Sequence, residues 1–159
     1  MAANEPRVES SPALLVAGLE GHFAPGATDQ ISEQWQRFSK HLGHIPGQVR
    51  RVAYGLCYMK PDGLDYLSAV GVSEHTNLPS ELTTRTIPAG RYAVFNHEGH
   101  VSTLSHSIGK IWTEWLPASG LKAVHPPPAG APCLFERYGE SFDPATGTGD
   151  TEVWILVEG

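Results

Sequence analysis

Val16-Ala-Gly-Leu-Glu-Gly-His-Phe23 and Val94-Phe-Asn-His-Glu-Gly-His-Val101 share three consecutive identities at a spacing of 78 residues. Downstream of each, Ile31-x-x-x-Trp35-x-x-Phe38 answers Ile108-x-x-x-Trp112-x-x-Trp115 at a spacing of 77. Chance gives either match alone, but hardly both in order. The chain therefore reads as one module written twice.

Around the first copy, the apolar run Ala13 to Leu19 predicts a buried strand, closed by the Pro25-Gly26 loop. Thr28 or Asp29 can cap a helix whose apolar residues Ile31, Trp35, Phe38 and Leu42 fall on one face. Gly43 and Pro46-Gly47 end it, and Val49 to Met59 and Asp65 to Ser73 read as strands around Lys60-Pro61-Asp62-Gly63. In the second copy Pro117 and Gly120 stop the helix, and Pro132 to Tyr138 and Glu152 to Val157 supply the last two strands. Thr83 to Pro88 reads as a linking strand, Asp143 to Asp150 as a long mobile turn, and residues 1–11 as a flexible N-terminal arm. The expected fold is α+β, with duplicated β-α-β-β modules related by a pseudo-twofold axis. An antiparallel sheet carries two helices on one side and leaves a central groove. Residues 12–159 form one domain, module one spanning about 12–82 and module two about 83–158.

Composition narrows the function. A chain of 159 residues with a net charge of -6 and no run of Lys or Arg lacks the basic footprint of direct nucleic-acid binding. No stretch approaches the ~20 apolar residues of a membrane span, and the start lacks a secretory signal, so the expected location is the cytoplasm. Cys57 and Cys133 sit inside expected strands without metal-ligand spacing and read as reduced packing thiols. Among eight histidines only His97-x-x-His100 has a plausible ligand separation, but a strand end followed by Gly99 does not hold two rings on one face. Neither metal nor cofactor is expected, and the motifs of common nucleophilic enzymes are absent from the sequence.

The residues Ile87-Pro-Ala-Gly-Arg-Tyr-Ala-Val-Phe95, Gly99, Ile111-Trp-Thr-Glu-Trp-Leu-Pro117, Phe135-Glu136-x-Tyr138 and Glu152-Val-Trp-Ile155 resemble the GyrI-like effector-binding family. That domain also occurs in AraC-type and multidrug-sensing MerR-type regulators. The resemblance extends upstream through Trp35-Gln-Arg-Phe38, Tyr54-Gly55 and Asp65-Tyr66-Leu-x-Ala-Val, covering roughly residues 12 to 158. It implies the duplicated module read above and, with no room for a helix-turn-helix before residue 12, a stand-alone member. The last strand, Trp154-Ile155-Leu156, departs from the family's pattern in lacking proline.

Glu136 is the leading site residue. Strand alternation puts it beside Leu134 and Tyr138, and a carboxylate there either pairs within the protein, with Arg91, Lys110 or a tyrosine hydroxyl, or awaits a cationic ligand. The resemblance implies the second, because this position matches the family's central acidic residue. Glu152 and Trp154 form a second alternating face, and Tyr54, Tyr66, Trp35 and Trp112 add rings that could box a flat or cationic ligand. The expected function is binding of a small cationic, aromatic or polycyclic molecule through Glu136, Tyr138, Trp154, Tyr54, Tyr66, Trp112 and Glu152. The resemblance implies an alternative: hydrolysis of cyclopropane-bearing compounds, with Glu136 and Glu152 as general acid and base. Haem carriage is a third reading, and a homodimer and an action on DNA gyrase stay open.

Overall fold

Period-two runs of apolar residues become strands, and their burial assigns each face of the sheet. The computed structural model describes residues 6–27, 30–41, 44–74, 78–143 and 145–158, without the side chains of Arg50 and Arg51. Its strands are β1 (Arg7–Ser11), β2 (Leu14–Phe23), β3 (Gln48–Lys60), β4 (Gly63–Val72), β5 (Thr83–Ile87), β6 (Gly90–His97), β7 (Leu134–Tyr138) and β8 (Thr151–Val157). Helix α1 (Ile31–Ser39) joins β2 to β3. Between β6 and β7 lie α2 (Leu104–Lys110), a π-helical turn (Ile111–Trp115) and α3 (Leu116–Ser119). The cap expected at Thr28 or Asp29, and Leu42 and Gly43 at the helix end, lie outside the described residues.

All eight strands form one curled antiparallel sheet in the order β1-β6-β8-β7-β3-β4-β2-β5. Read outward from the central β7–β3 pair, β8 then β6 on one side repeat β4 then β2 on the other. The two β-α-β-β modules thus share a sheet about a pseudo-twofold axis. Five pairs join them, Ala53↔Tyr138 to Cys57↔Leu134, and the middle one is Gly55↔Glu136, so Glu136 lies on that axis.

Two expectations from sequence are corrected. The first concerns the N-terminal arm: Arg7–Ser11 is not loose but pairs with β6, Arg7↔Val94 to Ser11↔Gly90. This mirrors β5 on β2, where Gly18↔Thr83 to Leu14↔Ile87 follow the same register. Each module therefore lends the strand that precedes it to the outer edge of the other. Polar composition suggested a tail, but a sheet edge accepts polar strands because one face and the outer edge remain in water. Deleting residues 1–11 is expected to lower stability by roughly 1–3 kcal/mol, or about 2–4 °C in Tm per kcal/mol for a chain this long. Thermal denaturation of the truncated chain checks this, and an unchanged Tm would contradict it.

The second correction concerns the repeat offset. Matching β1 to β5 and β2 to β6 by register aligns Pro12-Ala13 with Pro88-Ala89, a spacing of 76. The two Glu-Gly-His triplets are then not equivalent: Gly21 lies inside β2, whereas Gly99 sits in the turn after β6 with φ of 98°. The duplication is real, but that identity within it is not.

Helix α1 and the continuous α2–π-turn–α3 segment cover one face of the sheet. Ile111, Leu104 and Leu116 pack with Phe95, Tyr66, Tyr138, Val153 and Ile155, while Phe38 packs with Ala17, Val70 and Val72. The opposite face has its own core of Val16, Tyr54, Leu56, Leu67, Tyr92, Val94 and Phe135, with Trp154 and Leu156 at its margin. Cys57 is buried in the helix-side core, and both thiols are free.

Candidate functional site

At the centre of the helix-covered face, the middle of β7 places Glu136 opposite Gly55. Glu136 as a residue is 8% exposed, and its Oε1 accepts hydrogen bonds from the hydroxyls of Tyr66 (2.5 Å) and Tyr138 (2.7 Å). These are the short lengths of a hydroxyl on a charged acceptor. Tyr66 in turn accepts the indole N–H of Trp35 at 3.0 Å. The Trp35 ring meets Tyr66 and Tyr138 edge-on, at centroid distances of 6.3 and 5.5 Å. Sequence left Arg91, Lys110 or a tyrosine as partners for the glutamate, and tyrosines fill that role.

Gly55 makes this arrangement possible. A Cβ there would overlap the Tyr66 hydroxyl and stand 2.5 Å from Glu136 Oε1. The axis thus holds one carboxylate, with bare backbone at the matching position of the other module. Sequence reasoning quoted Gly55 only within the family pattern. Its role as the space for a carboxylate needs the β3–β7 register, which no local signal carries.

Gln34 was also missed. It is fully buried, and its amide nitrogen donates to the carbonyls of Leu19 and Tyr66 and to Ser68 Oγ, pinning α1 to β2 and β4. Among the described residues its Oε1 has no partner, and it occupies space that a side chain at Gly21 would take. A polar residue between Ile31 and Trp35 on the apolar helix face is the trace it leaves in the sequence. By anchoring α1, Gln34 fixes the neighbouring Trp35 over Tyr66.

Burial raises the pKa of Glu136, against the hydrogen bonds from Tyr66 and Tyr138, which lower it. Burial likewise pushes both tyrosine hydroxyls well above their ordinary range, with the nearby Glu136 charge adding to it. The site therefore holds two neutral phenols and a carboxylate that binds its proton more tightly than usual. A cation reaching that carboxylate would supply the counter-charge that its surroundings lack.

The remaining expected site residues go elsewhere. Glu136 pairs with Val153 and Arg137 with Glu152, so Glu152 and Trp154 project from the face opposite Glu136. Tyr54 is also on that face, packed against Phe135. Glu152 is already engaged: Arg7 binds it at 2.7 Å, Trp154 Nε1 donates to it at 2.9 Å, and Arg137 lies 3.5 Å away. The structure thus separates the two glutamates that a paired acid and base would require on one face. Strand periodicity predicted each residue's face within its own strand, but which faces coincide depends on cross-strand register.

Trp112 is 39% exposed. The helix carrying it widens to a π-turn, where the Leu116 amide bonds to the Ile111 carbonyl. Pro117, which has no N–H to donate, follows immediately. The wider turn lets Ile111 and Leu116 both face the sheet, and Trp112 turns outward. Of the expected ligand residues, Glu136, Tyr66 and Tyr138 come together, joined by Trp35, while Tyr54, Trp154, Glu152 and Trp112 do not join them.

Burial tends to raise the pKa of Glu152, but hydrogen bonds from Arg7 and Trp154 and the charges of Arg7 and Arg137 outweigh it, for a net lowering. A depressed carboxylate contributes stability above its unfolded pKa, near 4.5, and loses it as pH falls through the lower folded value. Glu152→Gln is therefore expected to be less stable than wild type at neutral pH, with the difference shrinking below about pH 4. Melting curves across that range measure it, and a pH-independent difference would contradict it.

Of the two histidines in the His97 turn, His97 is buried and His100 is exposed. His97 Nε2 faces the His100 carbonyl at 3.0 Å and Nδ1 faces Ser107 Oγ at 2.9 Å, tying the end of β6 to α2. Among the described residues no three His, Cys, Asp or Glu side chains come together as a metal site, and no helix is long and apolar enough to cross a membrane.

Comparison with known proteins extends this geometry. The chain is 32% identical over 138 residues to the transcriptional regulator BrlR of Pseudomonas aeruginosa, covering 86% of this chain and 48% of the regulator. It thus spans about half the length of that relative. Among solved structures it is similar to SAV2435 bound to tetraphenylphosphonium (TM-score 0.70, 21% identity, 98% of this chain and 94% of that one). It is also similar to a hydrolase from Listeria innocua (TM-score 0.60, 13% identity, 98% and 92%). At such identities these two likenesses establish the fold alone. The model of the GyrI-like small-molecule-binding domain matches residues 4–158, nearly the whole length, and the chain belongs to that family.

Proposed function

We propose that the protein binds a cationic aromatic or polycyclic molecule on the helix-covered face, with Glu136 as counter-charge and Tyr66, Tyr138 and Trp35 as walls. The observation that carries this reading is the buried carboxylate on the pseudo-twofold axis, held by two neutral phenols and, among the described residues, by no basic side chain. A structural glutamate would gain more from an arginine, as Glu152 does from Arg7. That SAV2435 has been seen with tetraphenylphosphonium supports a lipophilic cation as the ligand class. On this reading the domain acts in the cytoplasm as a drug- or toxin-sequestering or sensing unit, with neither nucleic acid nor membrane as its direct partner. The paired-glutamate hydrolase loses its geometric basis, because Glu152 and Glu136 face opposite ways.

The test compares tetraphenylphosphonium with triphenylphosphine oxide, a neutral molecule of related shape, in thermal-shift and mass-spectrometric assays. Stabilisation by the cation, at least about tenfold tighter binding than the oxide, and recovery of intact ligand are expected. Equal binding of both would remove Glu136 as counter-charge. With a cyclopropane-bearing compound as a further probe, recovery heavier by one water would make the protein a hydrolase.

A further inference from the structure

The two modules close their equivalent hairpins differently. In module one β3 and β4 are joined by the short turn Pro61-Asp62, between the paired Lys60 and Gly63. In module two β7 and β8 are joined by the much longer turn 139–150, between the paired Tyr138 and Thr151. A connection of that length inside a hairpin calls for a purpose. Its described residues are Gly, Glu, Ser, Asp, Ala and Thr with one exception, Phe142.

The Phe142 ring turns back onto Tyr138, with centroids 5.0 Å apart and planes at 59°, and packs with the helix-side core. The turn is fastened around it. The Phe142 amide donates to the Gly139 carbonyl at 3.1 Å, Asp143 bridges to Thr148, and the Gly147 carbonyl accepts the amide of Val101, which leads into α2. Two rings thus rest on Tyr138: Trp35 from module one and Phe142 from module two. Tyr66, Tyr138 and Glu136 are buried, whereas Trp35 and Phe142 are only partly so, and they are the members of this cluster most open to water.

We propose that Phe142 is a specificity-determining residue of the Glu136 site, the ring by which the β7–β8 turn selects aryl-substituted cations over alkyl cations of the same charge. The proposal rests on the reading of Glu136 as counter-charge. A carboxylate attracts any cation and does not tell a phenyl arm from a butyl arm, so that discrimination comes from the rings around it. An aryl arm meets a protein ring edge-to-face or offset, a geometry that adds to the burial of apolar area. Tyr138 is committed to Glu136 through its hydroxyl and Trp35 to Tyr66 through its indole N–H. Phe142 has no such bond to break, so its ring is free to turn from Tyr138 onto a ligand.

Tetraphenylphosphonium and tetrabutylphosphonium carry the same charge on the same atom and differ in their arms. Titrating wild type, Phe142→Leu and Phe142→Tyr with both tests the proposal. Wild type is expected to prefer the aryl cation at least about tenfold. Phe142→Leu keeps an apolar side chain but removes the ring. It is expected to weaken tetraphenylphosphonium by about three- to tenfold and to leave tetrabutylphosphonium unchanged, while Phe142→Tyr, which keeps the ring, binds both as wild type does. Equal loss for both cations in Phe142→Leu makes Phe142 a structural residue, and loss for neither places it outside the site; each result overturns the proposal. Wild type that binds both cations through Glu136 without preference overturns it too and leaves the reading of Glu136 standing, whereas binding of neither removes both. Should Phe142→Leu fold poorly, intermolecular NOEs between bound tetraphenylphosphonium and the Phe142 ring of wild type decide the question: they are expected, and their absence overturns the proposal.

Discussion

Replacing Gly55 with alanine is expected to destabilise the protein by about 1–3 kcal/mol and to abolish the ligand binding proposed at Glu136. The added methyl overlaps the Tyr66 hydroxyl and crowds Glu136 Oε1, so one or both must move, although both are hydrogen-bonded to one another. Backbone relief is expensive, because β3 is held by β4 on one side and β7 on the other. At about 2–4 °C per kcal/mol the loss is easily seen in a melting curve. A thermodynamic cycle with Tyr66→Phe isolates the cause. Removing the overlapped hydroxyl should recover part of the loss, so the double variant should be more stable than the sum of the single effects predicts. Strict additivity would mean that Gly55 is required for backbone reasons alone.

Glu136→Gln is expected to have opposite effects on stability and binding. Burial raises this carboxylate's pKa, so the stability associated with its bound proton is fully present below its unfolded pKa and is lost as pH rises through the folded value. At neutral pH the charged group is a cost. An amide oxygen can still accept the Tyr66 and Tyr138 hydroxyls without the charge, and Tm should rise by about 2–4 °C, on the order of 1 kcal/mol. The gain should disappear near pH 4, where the wild-type group is protonated. Affinity for tetraphenylphosphonium at neutral pH should fall by at least about tenfold. A variant that is less stable at neutral pH and binds the cation as before would make Glu136 a structural residue.

The order of elements was legible in the sequence because it depends on signals that repeat locally. Apolar alternation, a helix with Trp35 and Phe38 on one face, and Pro-Gly punctuation each specify an element from its own residues, and their recurrence exposed the duplication. Glu136 was legible as a lone acid in an apolar strand. What failed depended on relations between elements. The Glu-Gly-His identity set the repeat offset two residues too far, because one triplet is strand and the other turn. Arg7–Ser11 looked like a tail because its sequence says nothing of the β6 edge that receives it. Glu152 and Trp154 were grouped with Glu136 because cross-strand register, which sends them to the other face, is written in neither strand. Trp112 matched Trp35 in spacing, but the π-turn before Pro117 shifts the helix phase by a residue and turns that ring outward.

The most direct measurement is calorimetric titration of the protein with tetraphenylphosphonium at several pH values, in buffers of different ionisation enthalpy, for wild type and Glu136→Gln. If Glu136 is the counter-charge, wild-type affinity falls as pH drops through its raised pKa, protons are released on binding in that range, and the variant shows neither effect. Equal affinities in the two proteins, with no proton release at any pH, would contradict the account.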